Sequence, residues 1–221
     1  MKNVILKLEN ISYRYNDAKE NESVFKNINY EFNEGMVYAI KGKSGSGKTT
    51  LLSLLSGLEK NYDGKISFLN KDLKSLDLDD YRSKDIGIVF QSYNLLPHLS
   101  AVENIILSMN ISNLKINNKE EKAIELMQKV GLTKEQKDRR VLKLSGGEQQ
   151  RVAIARSLSY NPKIILADEP TGNLDKETEN EILSIFKDLA KKENKCIIIV
   201  THSQNVCKKS DFVYELKKIT K

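Results

Sequence analysis

Gly42-Lys43-Ser44-Gly45-Ser46-Gly47-Lys48-Thr49 decides how this chain folds. The spacing is G-x-x-x-x-G-K-T. Its glycines let the backbone turn tightly, so that successive N–H groups converge on an anion. Lys48 adds a point charge between two phosphates, and the Thr49 hydroxyl is placed to ligate Mg²⁺. Residues 36–40, Met-Val-Tyr-Ala-Ile, are a short apolar run that reads as a buried strand. Residues 50–56, starting at Thr50, read as a helix, with Gly57 just past its end. A strand, a glycine loop and a helix in this order aim the positive end of the helix at bound phosphate. Residues 42–50 are therefore the candidate phosphate cradle.

Composition bounds the rest. The 221 residues are 39% hydrophobic and 30% charged, as expected of one α/β domain with a substantial core. No apolar run approaches the ~20 residues of a membrane span. The first residues alternate polar and apolar, unlike a secretion signal. Cys196 and Cys207 have no metal-binding spacing and suit a reducing compartment. The net charge of +6 is compatible with nucleic acid or an anionic membrane face. No block of five like charges occurs, so a solvated lysine-rich surface accounts for it best.

Working outward from the loop, residues 4–15 alternate as a strand, residues 16–23 read as a hairpin loop, and residues 28–32 alternate again. This opening is expected to be antiparallel and to flank the nucleotide. Tyr13 or Tyr15 would offer a face for a base, and ordinary strand packing accounts for either equally well. Beyond the cradle, residues 65–69 and 86–90 read as strands, and Gln91 ends the second. In open α/β sheets ligands collect at the carboxyl ends of strands, which places Gln91 to reach Mg²⁺ or an attacking water.

From residue 92 to residue 160 the strand pattern disappears, and the spacing predicts an inserted helical subdomain. Ser100 and Glu103 form a capping box, and residues 119–130 are amphipathic up to Gly131. The segment 93–99, Tyr93 to Leu99, reads either as an exposed partner patch or as a buried connection. Ser145 and Glu148 form a second capping box. Capping alone does not call for Gly146 and Gly147 inside a helix, where each costs about 1 kcal/mol against Ala. Exposed N–H groups there suit a second phosphate contact.

Residues 164–170, Ile-Ile-Leu-Ala-Asp-Glu-Pro, read as a buried parallel strand delivering two carboxylates to the active edge. Asp168 is the candidate Mg²⁺ ligand and Glu169 the candidate general base. Residues 178–194 read as an amphipathic helix, residues 196–200 as a buried strand running into His202, and residues 212–216 as a last strand. His202 at that edge is a candidate γ-phosphate contact.

Together these motifs resemble the nucleotide-binding subunits of ABC transporters, from about Val4 to Leu216. The resemblance implies a P-loop NTPase with a RecA-like α/β core, an N-terminal antiparallel β subdomain and a helical subdomain at about 92–160, within a single domain over 1–221. It implies ATP and Mg²⁺ as cofactors. Residues 42–49 correspond to Walker A, Gln91 to the Q-loop, Leu144-Ser145-Gly146-Gly147-Glu148-Gln149-Gln150-Arg151 to the signature, and Ile165 to Glu169 to Walker B. Asn173-Leu174-Asp175 corresponds to the D-loop and His202 to the switch histidine. Tyr15 then matches the adenine-stacking aromatic better than Tyr13. Gln91, Lys48, Glu169 and His202 are implied as the catalytic group. Thr49, Gln91 and Asp168 are implied as the metal group.

The run from Asp168 to Asp175, with Asn94-Leu95-Leu96-Pro97, is similar to one branch: macrolide exporters, lipoprotein-release, bacitracin-type peptide-resistance and cell-division ATPases. Lys43 and Val141 depart from it, standing where Pro is frequent. The resemblance implies a head-to-tail homodimer with ATP, closed by Ser145, Gly146, Gly147 and Asp175. It also implies an integral-membrane permease contacting segment 93–99, and a cytoplasmic place on the inner face of the cell membrane. The expected function is to power an export or extrusion permease; the alternative is a regulatory ATPase whose permease signals to cell-wall hydrolases or a sensor kinase. No nucleic acid is expected, since ribosome- or DNA-directed relatives usually carry tandem domains or a coiled-coil insert.

Overall fold

The structure, a computed structural model, describes residues 3–15, 23–112 and 115–217. In chain order the elements are β1 (Val4–Tyr13), β2 (Phe25–Asn33), β3 (Val37–Lys41), α1 (Lys48–Leu55), β4 (Asp63–Phe68), β5 (Lys71–Asp72), α2 (Leu78–Lys84), β6 (Ile86–Val89), α3 (Ala101–Ile111) and α4 (Lys119–Lys129). They continue with α5 (Gly146–Ser157), β7 (Ile164–Asp168), α6 (Lys176–Glu193), β8 (Cys196–Thr201), α7 (Gln204–Lys209) and β9 (Phe212–Glu215).

Two sheets result. Strands β2-β1-β4-β5 form an antiparallel sheet, and β6-β7-β8-β3-β9 a parallel one. The apolar runs of β3, β7 and β8 read as fully buried because each face of the parallel sheet meets a separate core. Tyr38, Ile40, Ile164, Leu166, Ile198 and Val200 face the antiparallel sheet and α1. Their neighbours Val37, Ala39, Ile165, Ala167, Ile197 and Ile199 face α6 and the helices α3, α4 and α5. The period-two alternation thus sorts adjacent residues into different cores.

The expected helix boundaries follow their capping chemistry. Both halves of the Ser100 and Ser145 capping boxes are formed. Helix α4 stops at Gly131, whose φ of +82 is left-handed. Strand β1 ends at Tyr13, short of the expected Tyr15. The hairpin loop expected at 16–23 lies outside the described residues except for Ser23. Two helices were not anticipated, α2 and α7. Helix α2 is capped by Asp77, carries Asp79 and Asp80 in its first turn and Arg82 and Lys84 in its last, a charge order that suits the helix dipole.

Candidate active site

The cradle lies between β3 and α1. Gly45 and Gly47 adopt left-handed φ values of +73 and +90. Gly42 is glycine for another reason: a Cβ there would lie 2.3 Å from the buried Ser46 Oγ. Lys48 and Thr49 open α1 itself, earlier than the expected start at Thr50. The Lys48 ammonium folds back over the loop and donates to the Gly42 carbonyl at 2.9 Å.

Strand β7 delivers the two acids. Thr49 Oγ1 donates to Asp168 Oδ2 at 3.0 Å, which ties the start of α1 to the end of β7. Burial pushes the Asp168 carboxyl above its ordinary value. The Thr49 hydrogen bond opposes this, the Glu169 charge adds to it, and the Lys48 charge again opposes it.

Glu169 is bound on every side. Its φ of +44 is left-handed, an expensive conformation for a residue with a Cβ. Its N–H donates to the Val200 carbonyl at 3.0 Å. Oε2 accepts from Thr201 Oγ1 at 3.0 Å and from the His202 N–H at 3.2 Å. Oε1 faces His202 Nδ1 at 2.8 Å and Lys48 Nζ at 3.8 Å. The carboxylate is therefore aimed by its neighbours rather than by its own rotamer.

These groups line a cleft of 540 Å³. Ser44, Gly45, Gly47, Lys48, Thr49 and Thr50 of the loop and α1 line it with Gln91, Asp168, Glu169, Tyr15, Ser23 and Val24. The two tyrosines are sorted by burial. Tyr13 is 6% exposed and packs on Phe25, whereas Tyr15 is 49% exposed and its hydroxyl lies 2.7 Å from Thr50 Oγ1. Lys43 is exposed and lines no part of the cleft.

Ser145, Gly146, Gly147 and Asp175 are not brought to this cleft. Ser145 caps α5. A Cβ on Gly147 would lie 2.6 Å from the Thr178 methyl, and one on Gly146 would lie 3.0 Å from the Tyr93 hydroxyl. Close packing within the chain thus gives a reason for both glycines that sequence reasoning did not see. Asp175 caps α6, accepting from the N–H groups of Glu177 and Thr178, both at 3.0 Å.

Segment 93–99 resolves into a mixture of the two expectations. Leu96 is 38% exposed, while Leu95 packs against the second core. Tyr93 and Asn94 both adopt left-handed φ. Arg156 from α5 donates to both of their carbonyls, and Asn104 accepts from the Leu96 N–H at 2.8 Å. Thr201, Ser23, Val24 and Arg156 all escaped the sequence reading. Thr201 had a legible signal, a hydroxyl ending a buried strand beside His202.

The donors fit Mg²⁺. Among the described residues no group of three or more His, Cys, Asp or Glu could hold a metal. Mg²⁺ prefers a few oxygen ligands completed by phosphate and water, and Thr49 and Asp168 present two oxygens beside the cradle, in the cleft that Gln91 also lines. Among the described residues no helix is long and apolar enough to cross a membrane.

Comparison with known proteins agrees with this geometry. The family model described as ABC transporter matches residues 25–172. The chain is 42% identical over 214 residues to the uncharacterized ABC transporter ATP-binding protein YclH of Bacillus subtilis, covering 97% of this chain and 94% of YclH. It is 42% identical over 217 residues to the lipoprotein-releasing system ATP-binding protein LolD of Rickettsia felis, covering 98% and 97%. The dimeric structure of the ABC transporter cassette MJ0796 superposes with a TM-score of 0.87 at 36% identity, covering 96% of this chain and 94% of that one. A post-hydrolysis structure of the same cassette, bound to ADP and Pi, superposes equally well over 98% and 97% at 35% identity. With a nucleotide cradle, a paired acidic strand end and this breadth of similarity, the chain belongs to the ABC transporter family as an ATP-binding, ATP-hydrolysing subunit.

Proposed function

We propose that this ATPase powers an export or extrusion permease of the lipoprotein-release type, working as an ATP-closed homodimer on the cytoplasmic face of the cell membrane. The observation that carries the hydrolytic part is Glu169, whose carboxylate is held by Thr201, His202 and Lys48 at the wall of the cleft. In this reading Tyr15 stacks on adenine and residues 44–50 cradle the phosphates. Thr49, Asp168 and Gln91 hold Mg²⁺, which neutralises phosphate charge when bound. Glu169 takes a proton from water as the water oxygen bonds the γ-phosphorus and the bond to the ADP oxygen breaks. His202 orients Glu169 and reaches the γ-phosphate.

Two things support the dimer: Ser145, Gly146, Gly147 and Asp175 lie away from their own chain's cleft, and the MJ0796 cassette is dimeric. The similarity to LolD, a lipoprotein-releasing system protein, supports the kind of permease. Glu169→Gln tests the chemistry. Hydrolysis should fall by about 10²–10⁴-fold, the usual worth of a general base, with Mg-ATP binding by calorimetry intact. Hydrolysis at the wild-type rate would assign the base elsewhere. Purification of a tagged chain from membranes should bring a permease with it, and its absence would remove the transport reading.

A further inference from the structure

One buried carboxylate has no part in the chemistry above. Glu179, in the first turn of α6, is 9% exposed. Its Oε1 accepts from Thr171 Oγ1 at 3.2 Å and from Ser203 Oγ at 2.8 Å, and its Oε2 accepts from Asn205 Nδ2 at 2.8 Å. All three donors are neutral, and they satisfy this buried carboxylate without an ion pair. Such a carboxylate is a good means of holding the segments that carry those donors in one geometry.

Those segments are the two turns that grip Glu169. Thr171 lies two residues beyond Glu169, in the turn closed by the Gly172 N–H donating to the Glu169 carbonyl at 3.0 Å. Ser203 follows His202, and its N–H donates to Thr201 Oγ1 at 2.9 Å, the same hydroxyl that donates to Glu169 Oε2. Asn205, in the first turn of α7, also donates to Asn180 Oδ1 at 3.0 Å. The hydrogen-bonded path runs from Glu179 through Ser203 and Thr201 to the Glu169 carboxylate.

We propose that Glu179 is a positioning residue for hydrolysis: by tying Thr171 to Ser203 it fixes the turn after Glu169 against the turn bearing His202, and so sets the Glu169–His202 contact. The inference rests on Glu169 and His202 acting as proposed above. A fixed arrangement of this kind affects turnover more than nucleotide binding, because the phosphate cradle is built from other elements.

The test uses the full chain and the variants Glu179→Gln, Ser203→Ala and the double variant. Glu179→Gln keeps the shape but turns an N–H₂ toward one of three donors. It should lower kcat by about 10- to 100-fold with KM for Mg-ATP unchanged, the scale of a small misplacement of a reacting group. Ser203→Ala should act in the same direction, and the double variant should lose little more than either single one. The chain has two histidines, so the His202 ring nitrogens are identified in ¹⁵N NMR against His202→Ala. In the wild type Nδ1 should carry the proton that faces Glu169; in Glu179→Gln that tautomer should lose its dominance. Wild-type kcat with an unchanged His202 tautomer in folded Glu179→Gln overturns the proposal, and if that variant does not fold, the same result in Ser203→Ala overturns it. Glu169→Gln run alongside separates the two claims. If it stays fully active, the role given to Glu169 fails; if it is inactive while Glu179→Gln is normal, only the role given to Glu179 fails.

Discussion

At the residue scale, two adjacent acids at the end of β7 are treated differently by their surroundings. Glu169 is wrapped by donors and held in a left-handed backbone. Asp168 has one hydroxyl and is penalised chiefly by burial. A carboxyl with a raised value binds its proton more readily in the folded chain than in the unfolded one. Its contribution therefore favours folding at low pH and is lost as pH rises through the raised value. Asp168→Asn removes that penalty while its amide oxygen still accepts from Thr49. Without nucleotide, its Tm should exceed wild type at neutral pH, and the gap should close as pH falls through the carboxylate range. Mg-ATP should raise the Tm of the wild type more than that of the variant. Scanning calorimetry across pH checks both; a lower Tm for the variant at neutral pH would show that the Asp168 charge is stabilised by its site.

At the scale of elements, the segment after Gln91 is joined to α5 at two places. Arg156 reaches the Tyr93 and Asn94 carbonyls, and the Tyr93 hydroxyl closes on Gly146 at the other end of the same helix. Two successive left-handed residues without glycine are held by that guanidinium fork. Arg156→Ala leaves two carbonyls short of donors and should cost about 1–3 kcal/mol in urea unfolding. Arg156→Lys should restore only part of it, because an ammonium cannot bridge both oxygens in one plane. An equal recovery by Lys would mean that charge alone, not the fork, holds the segment.

At the scale of the whole molecule, the candidate nucleotide contacts fall into two groups that this chain does not bring together. The head-to-tail dimer proposed for it predicts that Glu169→Gln protein dimerises with Mg-ATP and stays monomeric with ADP, since the γ-phosphate is the bridge. Light scattering reads this directly, and equal masses in both nucleotides would refute it. The proposed permease surface is narrower than the sequence suggested. Leu95 packs on the core, so only Leu96 offers a test free of folding effects. Leu96→Asp should reduce membrane recruitment of the chain while leaving its ATP affinity unchanged. Normal recruitment would move the docking surface elsewhere.

Local chemistry made much of this legible from sequence. The cradle, the two capping boxes, the stop at Gly131 and the acidic end of β7 each depend on residues within a few positions of one another, so spacing alone specifies them. The parallel order β6-β7-β8-β3-β9 was not legible, because continuous apolar runs say that a strand is buried but not beside what. The same limit hid Thr201 and Glu179, whose partners lie 32 and 24 residues away in the chain. Spacing alone left Tyr13 and Tyr15 equal; the family resemblance favoured Tyr15, and packing buries Tyr13 and opens Tyr15 to the cleft. The same limit also credited Gly146 and Gly147 to phosphate alone, when the Thr178 methyl leaves no room for a Cβ on Gly147 and the Tyr93 hydroxyl crowds one on Gly146. Short-range hydrogen bonding is written along the chain; which distant groups share a buried polar contact is decided only when the sheets and helices close over it.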